Sequence, residues 1–235
     1  MTAILALDTS TSACSVALNI DGVVLEDFRI APRQHNALIL PMVEQILAQA
    51  ELSLADLDAI AFGRGPGSFT GLRISAGVVQ GLAYGADKPV IPVSTLAAMA
   101  LEGFQKSGEN YWLSALDARM GEVYLGGYHV NKADGQYSIE LLLEERVAKP
   151  DNLPSLAQDY QGIGSGWSYE QELSALLPNP PTHVFADTLP RAASIAELAR
   201  LAFSDGEIQS CYDAIPTYLR DNVTWEKQAP RIGKR

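Results

Sequence analysis

The order in which strand and helix patterns follow one another constrains the fold of this chain more than any other feature. Residues 1–30 contain three apolar strand patterns, and an Asp21-Gly22 pair between the second and third predicts a hairpin turn. The patterns that follow are, in order, a helix at 34–50, a strand at 57–65, a helix at 68–87 and a strand at 88–95.

The same order begins again after a polar linker at 105–110. The second round consists of strand patterns at 111–119, 121–130 and 137–147, a proline-rich stretch at 177–185 and a helix pattern at 194–203. Two successive rounds predict an α/β protein with two similar lobes. The predicted divisions are a first lobe at 1–105, a second lobe at 106–215 and a tail at 216–235 that can pack back on the first lobe.

The charge of the chain argues against a protein whose main task is to bind nucleic acid. It carries 17 Lys and Arg against 28 Asp and Glu, a formal net charge of −11 at pH 7. Nucleic-acid binders need a basic face, because phosphate neutralisation supplies most of their affinity. The basic residues here are scattered, apart from Arg231, Lys234 and Arg235, which are either a solvated terminus or a contact.

Other features of the composition indicate a cytoplasmic protein without membrane contact. No apolar run reaches the roughly 18 residues that span a bilayer. The amino terminus, MTAILALDTS, lacks the basic region of a signal peptide. Cys14 and Cys211 are far apart and belong to no motif, which favours two reduced packing residues over a disulfide framework or a zinc site.

Two turns are candidate binding sites for a phosphate or another anion. Asp8 ends the first strand pattern, and the hydroxyls and N–H groups of residues 9–11 can hold a phosphate or can merely satisfy a hairpin turn. The loop GRGPGSFTGLR at 63–73 joins a strand to a helix, and it is either an anion site or a structural turn. It matches neither the dinucleotide-binding motif nor the P-loop motif.

The second helix pattern contains Gly71, Gly77 and Gly81, although a glycine in a helix interior costs up to about 1 kcal/mol relative to alanine. Gly77 and Gly81 lie one turn apart. A helix that accepts this cost usually gains close approach of another backbone. We therefore expect this helix to pack tightly against a second helix.

The first helix pattern is the candidate for that contact, because its apolar residues cover an arc of roughly 200°, whereas docking on one core needs only about 100°. The arc contains Leu38, Ile39, Leu40, Met42, Val43, Ile46 and Leu47. The excess width predicts a face that contacts another protein. A helix buried deeply within one lobe explains the same pattern, and both interpretations stay open.

No arrangement of residues predicts a specific catalytic chemistry. The three histidines are widely separated and have no metal-binding spacing, and no GxSxG motif marks a nucleophile. Asp117, Arg119 and Glu122 form either a site or an ordinary solvated turn.

Several segments resemble the TsaB family in their order and spacing. They are DTSTSACSVAL, RQHNALILPMV, GRGPGSFTGLRI, LDARMGEVY, the GxGW of residues 164–167 and PTYLRDNVTWEK, of which GPGSFTGLR at 65–73 is the most specific. The resemblance covers nearly the whole chain. It implies the two-lobed, actin-like fold shared by actin, heat-shock chaperones and sugar kinases, in which each lobe is a mixed sheet with helices.

The resemblance also implies a non-catalytic scaffold or activator. The family is a degenerate relative of TsaD, which transfers threonylcarbamoyl from an adenylate to the adenosine beside the anticodon of ANN-decoding tRNAs. TsaD holds a metal through an HxxxH motif, and Thr95 and Met99 stand at the places of its two histidines. Because neither side chain replaces imidazole as an iron or zinc ligand, we expect this chain to hold no metal or other cofactor.

The partners implied by the resemblance are TsaD in a heterodimer, the ATPase TsaE within an ATP-consuming complex, and a second copy of the chain in isolation, while tRNA is bound only indirectly. The two helices are implied to form the face used for both the homodimer and TsaD. Its partner-binding residues are His35, Leu38, Ile39, Met42, Val43, Ile46, Leu72, Ile74, Gly77, Val78 and Gly81.

Two enzyme hypotheses stay open beside the scaffold. One is a nucleotide-binding ATPase or kinase-like enzyme that uses a turn formed by Asp8, Thr9, Ser10 and Thr11. The other is a protease, a label that the family has carried, although the sequence shows no metal ligands or nucleophile motif for it.

Overall fold

The computed structural model of the chain describes residues 1–220, and within them ten strands form two five-stranded sheets. The first sheet has the order β3-β2-β1-β4-β5 and contains β1 (Ala3–Asp8), β2 (Ala13–Ile20), β3 (Val23–Ile30), β4 (Ala59–Gly65) and β5 (Val90–Ser94). The second has the order β10-β9-β6-β7-β8 and contains β6 (Tyr111–Arg119), β7 (Glu122–Ala133), β8 (Gln136–Ala148), β9 (Gln161–Ile163) and β10 (Val184–Phe185).

The two sheets have the same topology. In the first, β1, β2 and β3 are antiparallel neighbours and β4 and β5 run parallel to β1. In the second, β6, β7 and β8 are antiparallel neighbours and β9 and β10 run parallel to β6. The repeated order of strand and helix patterns in the sequence is therefore a true structural repeat, and the predicted two-lobed α/β fold is confirmed.

Five α-helices cover these sheets in the described part of the chain: α1 (His35–Gln49), α2 (Phe69–Ala86), α3 (Thr95–Ser107), α4 (Glu170–Ser174) and α5 (Ala192–Ser204). The sequence patterns predicted α1, α2 and α5 but assigned no element to 96–104. Every residue from Thr95 to Gly103 is buried, because α3 lies between the sheets. Between Leu96 and Gly103 only Glu102 is charged, and an apolar run this short does not by itself distinguish a buried helix from a buried strand.

The two halves of the chain exchange helices across the molecule. Although α3 follows the first sheet in sequence, it packs mainly against β6 and β7, and α5 packs mainly against β1 and β2. The first lobe is therefore the first sheet with α1, α2 and α5, and the second lobe is the second sheet with α3 and α4. The boundary predicted between residues 105 and 106 falls inside α3.

The face of α1 that was predicted to bind a partner is mostly filled by the core of the chain itself. Ile39, Met42, Val43 and Ile46 are at most 2% exposed and pack with β1, β2 and α2 side chains. The interpretation of α1 as a deeply buried helix therefore holds for these four residues, and their prediction as partner contacts is corrected. The wide apolar arc reflects contact with both a sheet and a neighbouring helix of the same lobe.

The final described segment returns to the first lobe. At Thr217 the backbone N–H donates to the carbonyl of Arg64, and the ring of Tyr218 lies 4.5 Å from that of Phe69. Most of the predicted tail, with its basic residues Arg231, Lys234 and Arg235, lies outside the described residues. Within residues 1–220, no helix combines the length and apolarity needed to cross a membrane.

The burial of Val43 predicts that Val43→Glu unfolds the chain rather than only detaching a partner. A carboxylate placed in this core has no partner of opposite charge, and an uncompensated buried charge costs about 3–5 kcal/mol. Urea unfolding followed by circular dichroism measures this loss. Ala48→Glu, on the exposed side of the same helix, is the control and is expected to change stability by less than about 0.5 kcal/mol. A folded Val43→Glu variant with normal stability would show that this side of α1 faces solvent.

Candidate functional site

The turn after β1 is built from side chains that bond to one another. The Oδ1 atom of Asp8 accepts hydrogen bonds from the backbone N–H of Ser10 at 3.0 Å and from its hydroxyl at 2.8 Å. The hydroxyl of Thr9 donates to the carbonyl of Gly71 at 2.7 Å. All three of Asp8, Thr9 and Ser10 are at most 1% exposed, so their polar groups serve the turn and its neighbours.

The glycine-rich loop lies directly on this turn. A Cβ at Gly71 would lie 1.8 Å from the carbonyl oxygen of Thr9, and one at Gly67 would lie 2.7 Å from Ser10. The Ser68 N–H donates to the Ser10 carbonyl at 2.7 Å, and the Ser68 hydroxyl caps α2 by accepting from the Gly71 N–H. The glycines are required here because two backbones meet at contact distance.

This contact corrects the predicted nucleotide site. A phosphate bound by Asp8, Thr9 and Ser10 would have to occupy space that the loop fills, and only Thr11 of the predicted turn is partly exposed. The interpretation of both segments as structural turns is the one that the geometry supports. Asp8, Thr9 and Ser10 are closed off from solvent in this conformation, whereas Thr11 lines the cleft between the lobes.

Asp8 itself is an unusual carboxyl group. Its Oδ2 atom has no hydrogen-bond partner and faces Gly63, where a Cβ would lie only 2.0 Å away. Burial raises the pKa of Asp8 from 3.8 to about 7, although the two hydrogen bonds from Ser10 act in the opposite direction. Asp8 is therefore held largely as a neutral acid inside the first lobe at pH values below about 7.

A cleft of about 1400 Å³ separates the sealed turn from the second lobe. The wall formed by the second lobe carries Asp117 and Arg119, whose side chains form an ion pair at 3.0 Å. The Arg119 side chain is 86% exposed. Glu122 points elsewhere and pairs with Arg220. The three residues singled out as a possible catalytic group thus form two separate ion pairs, which fits the interpretation of an ordinary turn.

The two residues that the resemblance places where TsaD has its histidines are buried in the second lobe. Thr95 and Met99 lie on α3 and are fully buried, and the Sδ-methyl group of Met99 fills the space beside Gly164. Over residues 1–220, no three His, Cys, Asp or Glu side chains are grouped so that they could hold a metal ion. The only histidine in the predicted partner set, His35, is buried and its Nε2 atom pairs with the Ala13 carbonyl at 3.1 Å.

The outer face of α2 is left uncovered by residues 1–220. A Cβ built at Gly77, Gly81 or Gly85 has no atom of these residues within 4 Å. The close approach that Gly77 and Gly81 predicted is therefore not made within the described part of the chain. Tyr84 follows Gly77 by seven residues, which places it on the same face, and it is 68% exposed.

The predicted partner residues divide into two groups. Leu72 is buried in the first lobe, as are the α1 residues already described, so its prediction as a partner contact is also corrected. The residues with exposed surface are Leu38, Ile74, Gly77, Val78 and Gly81. Tyr212, missed by sequence reasoning, adjoins this set because its ring lies 6.1 Å from that of Tyr84 and it is 69% exposed.

A polar cluster between the lobes was also missed. The carboxylate of Glu145 on β8 accepts hydrogen bonds from the hydroxyls of Tyr128, at 2.5 Å, and Ser94, and it lies 3.4 Å from the guanidinium group of Arg64. Burial, and then the neighbouring Glu145, raise the pKa of Tyr128 well above 10. These four residues come from four different strands, so no spacing in the sequence could have revealed the cluster.

Comparison with known proteins gives matches over almost the whole chain. The family model of TsaD, tRNA N6-adenosine threonylcarbamoyltransferase, matches residues 16–228. The tRNA threonylcarbamoyladenosine biosynthesis protein TsaB of Escherichia coli (strain K12) is 42% identical over 231 residues, which cover 95% of this chain and 97% of that protein. The protein of the same name in Haemophilus influenzae is 40% identical, with coverage of 95% and 96%.

Two solved structures share the fold. YeaZ from Pseudomonas aeruginosa is 41% identical, superimposes with a TM-score of 0.84, and covers 93% of this chain and 100% of its own. A second structure, described as an uncharacterized protein with similarity to peptidase YEAZ from Pseudomonas aeruginosa, is 42% identical with a TM-score of 0.85. It covers 94% of this chain and 100% of its own, so both lobes belong to one shared fold.

The raised pKa of Asp8 predicts that stability falls as pH rises. The unfolded chain ionises Asp8 near pH 3.8 and the folded chain only near pH 7, so stability is lost between these values and levels off above them. We measure the free energy of unfolding in urea for Asp8→Asn and for the wild type. The variant's value minus the wild type's value is expected to increase by roughly 4 kcal/mol from pH 4 to pH 8. Asp205→Asn, at an exposed aspartate, is the control. A pH-independent difference between Asp8→Asn and wild type would mean that the turn is open to water.

Proposed function

The chain belongs to the TsaB family, and we propose that it is a non-catalytic subunit in the synthesis of N6-threonylcarbamoyladenosine in tRNA, where it acts by binding TsaD. The observation that carries this proposal is the uncovered outer face of α2, with Gly77, Gly81 and Gly85 facing open space. Its relatives named TsaB are biosynthesis proteins of this modified nucleoside. The chain is thus expected to support the transfer reaction and not to perform it.

The energetics of α2 favour a protein partner on this face. Each interior glycine costs up to about 1 kcal/mol of helix stability, and no close contact from residues 1–220 at Gly77, Gly81 or Gly85 offsets that cost. A second helix that packs here can approach the α2 backbone closely and gain dense van der Waals contact. Around the glycines, Ile74 and Val78 are half-buried and Tyr84 is exposed, so the face is apolar as well as smooth.

We assign the same face to TsaD and, in isolation, to a second copy of the chain. The contact residues of this proposal are Leu38, Ile74, Gly77, Val78, Gly81, Tyr84 and Tyr212. TsaE joins the complex and ATP is consumed there, in the cytoplasm, on ANN-decoding tRNAs. The acidic charge of −11 favours TsaD as the subunit that holds the tRNA.

Two further observations favour an accessory role over catalysis. By the resemblance to TsaD, Thr95 and Met99 take the places of its two histidine ligands, and neither coordinates iron or zinc as imidazole does. The turn at Asp8 is closed by the glycine loop, so the hydroxyls of Thr9 and Ser10 do not face the cleft. The metal and the adenylate therefore belong on TsaD in this proposal.

A reconstituted reaction tests the proposal directly. TsaD and TsaE are incubated with threonylcarbamoyl-adenylate, ATP and an ANN-decoding tRNA transcript, with and without this chain, and the modified nucleoside is quantified by mass spectrometry. The expected result is repeated turnover only when the chain is present and none with the chain alone. Equal turnover without the chain, or transfer by the chain without TsaD, would overturn the proposal.

The variant Gly77→Leu tests binding to TsaD separately from the folding of the chain. Nothing lies within 4 Å of a Cβ at this position, and glycine is the poorer helix former, so stability in urea is expected to stay equal or rise by up to about 1 kcal/mol. Binding to TsaD, measured by calorimetry, is expected to weaken about tenfold to a hundredfold, because overpacking a close contact costs about 1–3 kcal/mol.

The control for this variant is Gln105→Leu, which places the same leucine at an exposed position of α3, outside the α2 face. It is expected to leave TsaD binding unchanged. A Gly77→Leu variant that binds TsaD as tightly as the wild type would show that the glycine face is not the contact surface.

A further inference from the structure

The chain after α5 runs along the side of α2 in the opposite direction. The ring of Tyr212 packs on Tyr84 near the end of α2, at 6.1 Å, and the ring of Tyr218 packs on Phe69 at its start, at 4.5 Å. The segment begins with a 3₁₀ turn, Cys211–Asp213, and then leads back along the helix, which spans about 22 Å between Phe69 and Tyr84.

The segment is fixed to the first lobe at Arg64. The N–H of Thr217 donates to the Arg64 carbonyl at 2.7 Å, and the Arg64 guanidinium group donates to the Thr217 hydroxyl at 2.9 Å. The guanidinium group of Arg73 lies 4.0 Å from the centre of the Phe69 ring and donates to the Tyr218 hydroxyl at 3.2 Å. These contacts hold the segment against the first turn of α2.

The same segment is fixed to the second lobe by its last described residue. Arg220 forms an ion pair with Glu122 at the start of β7, and the two side chains are only 19% and 30% exposed. The guanidinium group of Arg220 also lies 6.0 Å from the ring of Tyr124. Arg64, which holds Thr217, reaches the second lobe as well through Glu145. Arg220 in the segment and Arg64, which holds the segment, thus each form an ion pair with the second lobe.

We propose that residues 212–220 are a strap that couples the outer face of α2 to the second lobe. A partner that covers Tyr84 also covers the adjoining Tyr212, and it thereby favours the engaged strap. By thermodynamic reciprocity, release of the strap from Glu122 weakens the binding of the partner to the outer face of α2. This inference rests on the proposed function, because it concerns the regulation of the same binding face.

The test uses the full chain and two variants, Arg220→Ala and Glu122→Gln. Each removes the same ion pair by changing one of its two members. Hydrogen exchange of the Thr217 N–H reports strap engagement, since that N–H is bonded to Arg64 and not to either altered residue. Both variants are expected to speed this exchange about threefold or more and to weaken TsaD binding by about the same factor. Glu144→Gln, at an exposed glutamate of β8, is the control and is expected to change neither.

The outcomes separate the strap from the proposed function. Unchanged exchange at Thr217 in both variants would show that the segment does not act as one unit. Faster exchange with unchanged TsaD binding would overturn the coupling and leave the proposed function standing. A wild-type chain that does not bind TsaD would overturn the proposed function and the coupling together.

Discussion

The contact between the glycine loop and the turn after β1 sets the arrangement on which the rest of the structure depends. Gly71 lies against the Thr9 carbonyl, at a distance that leaves no room for a side chain. This contact fixes the start of α2 against the central strand of the first sheet. It closes the hydroxyl-bearing turn, and the register that it gives α2 turns Leu72, Ala76 and Val79 inward and leaves Gly77 and Gly81 outward.

The same contact explains why one motif supports two different interpretations. A strand that ends in Asp-Thr-Ser, followed later by a glycine-rich loop, has the composition of a phosphate site. Whether such a turn binds a phosphate depends on the space above it, and here the loop backbone occupies that space. The result is a buried acid, Asp8, whose carboxyl group lies beside Gly63 and does not face the cleft.

Sequence reasoning succeeded where a local rule determines the structure. The repeated order of strands and helices predicted the paired sheets, and the cost of glycine in a helix drew attention to Gly77 and Gly81, whose contact with a partner stays a prediction. Sequence reasoning failed where the answer depends on distant residues. The apolar arc of α1 looks the same whether Val43 meets a partner or its own sheet, and the short apolar run at 96–104 does not by itself distinguish a buried helix from a strand. The Glu145 cluster joins residues from four strands, so only the folded chain brings it together.

The central claim is that the outer face of α2 meets TsaD, and hydroxyl-radical footprinting of the chain with and without TsaD measures this most directly. Tyr84 on that face and Met120 at the β6–β7 turn are both reactive side chains, exposed by 68% and 75%. The account predicts that TsaD protects Tyr84 strongly and leaves Met120 as reactive as before. Protection of Met120 with Tyr84 unchanged would place the contact on the second lobe and contradict the account.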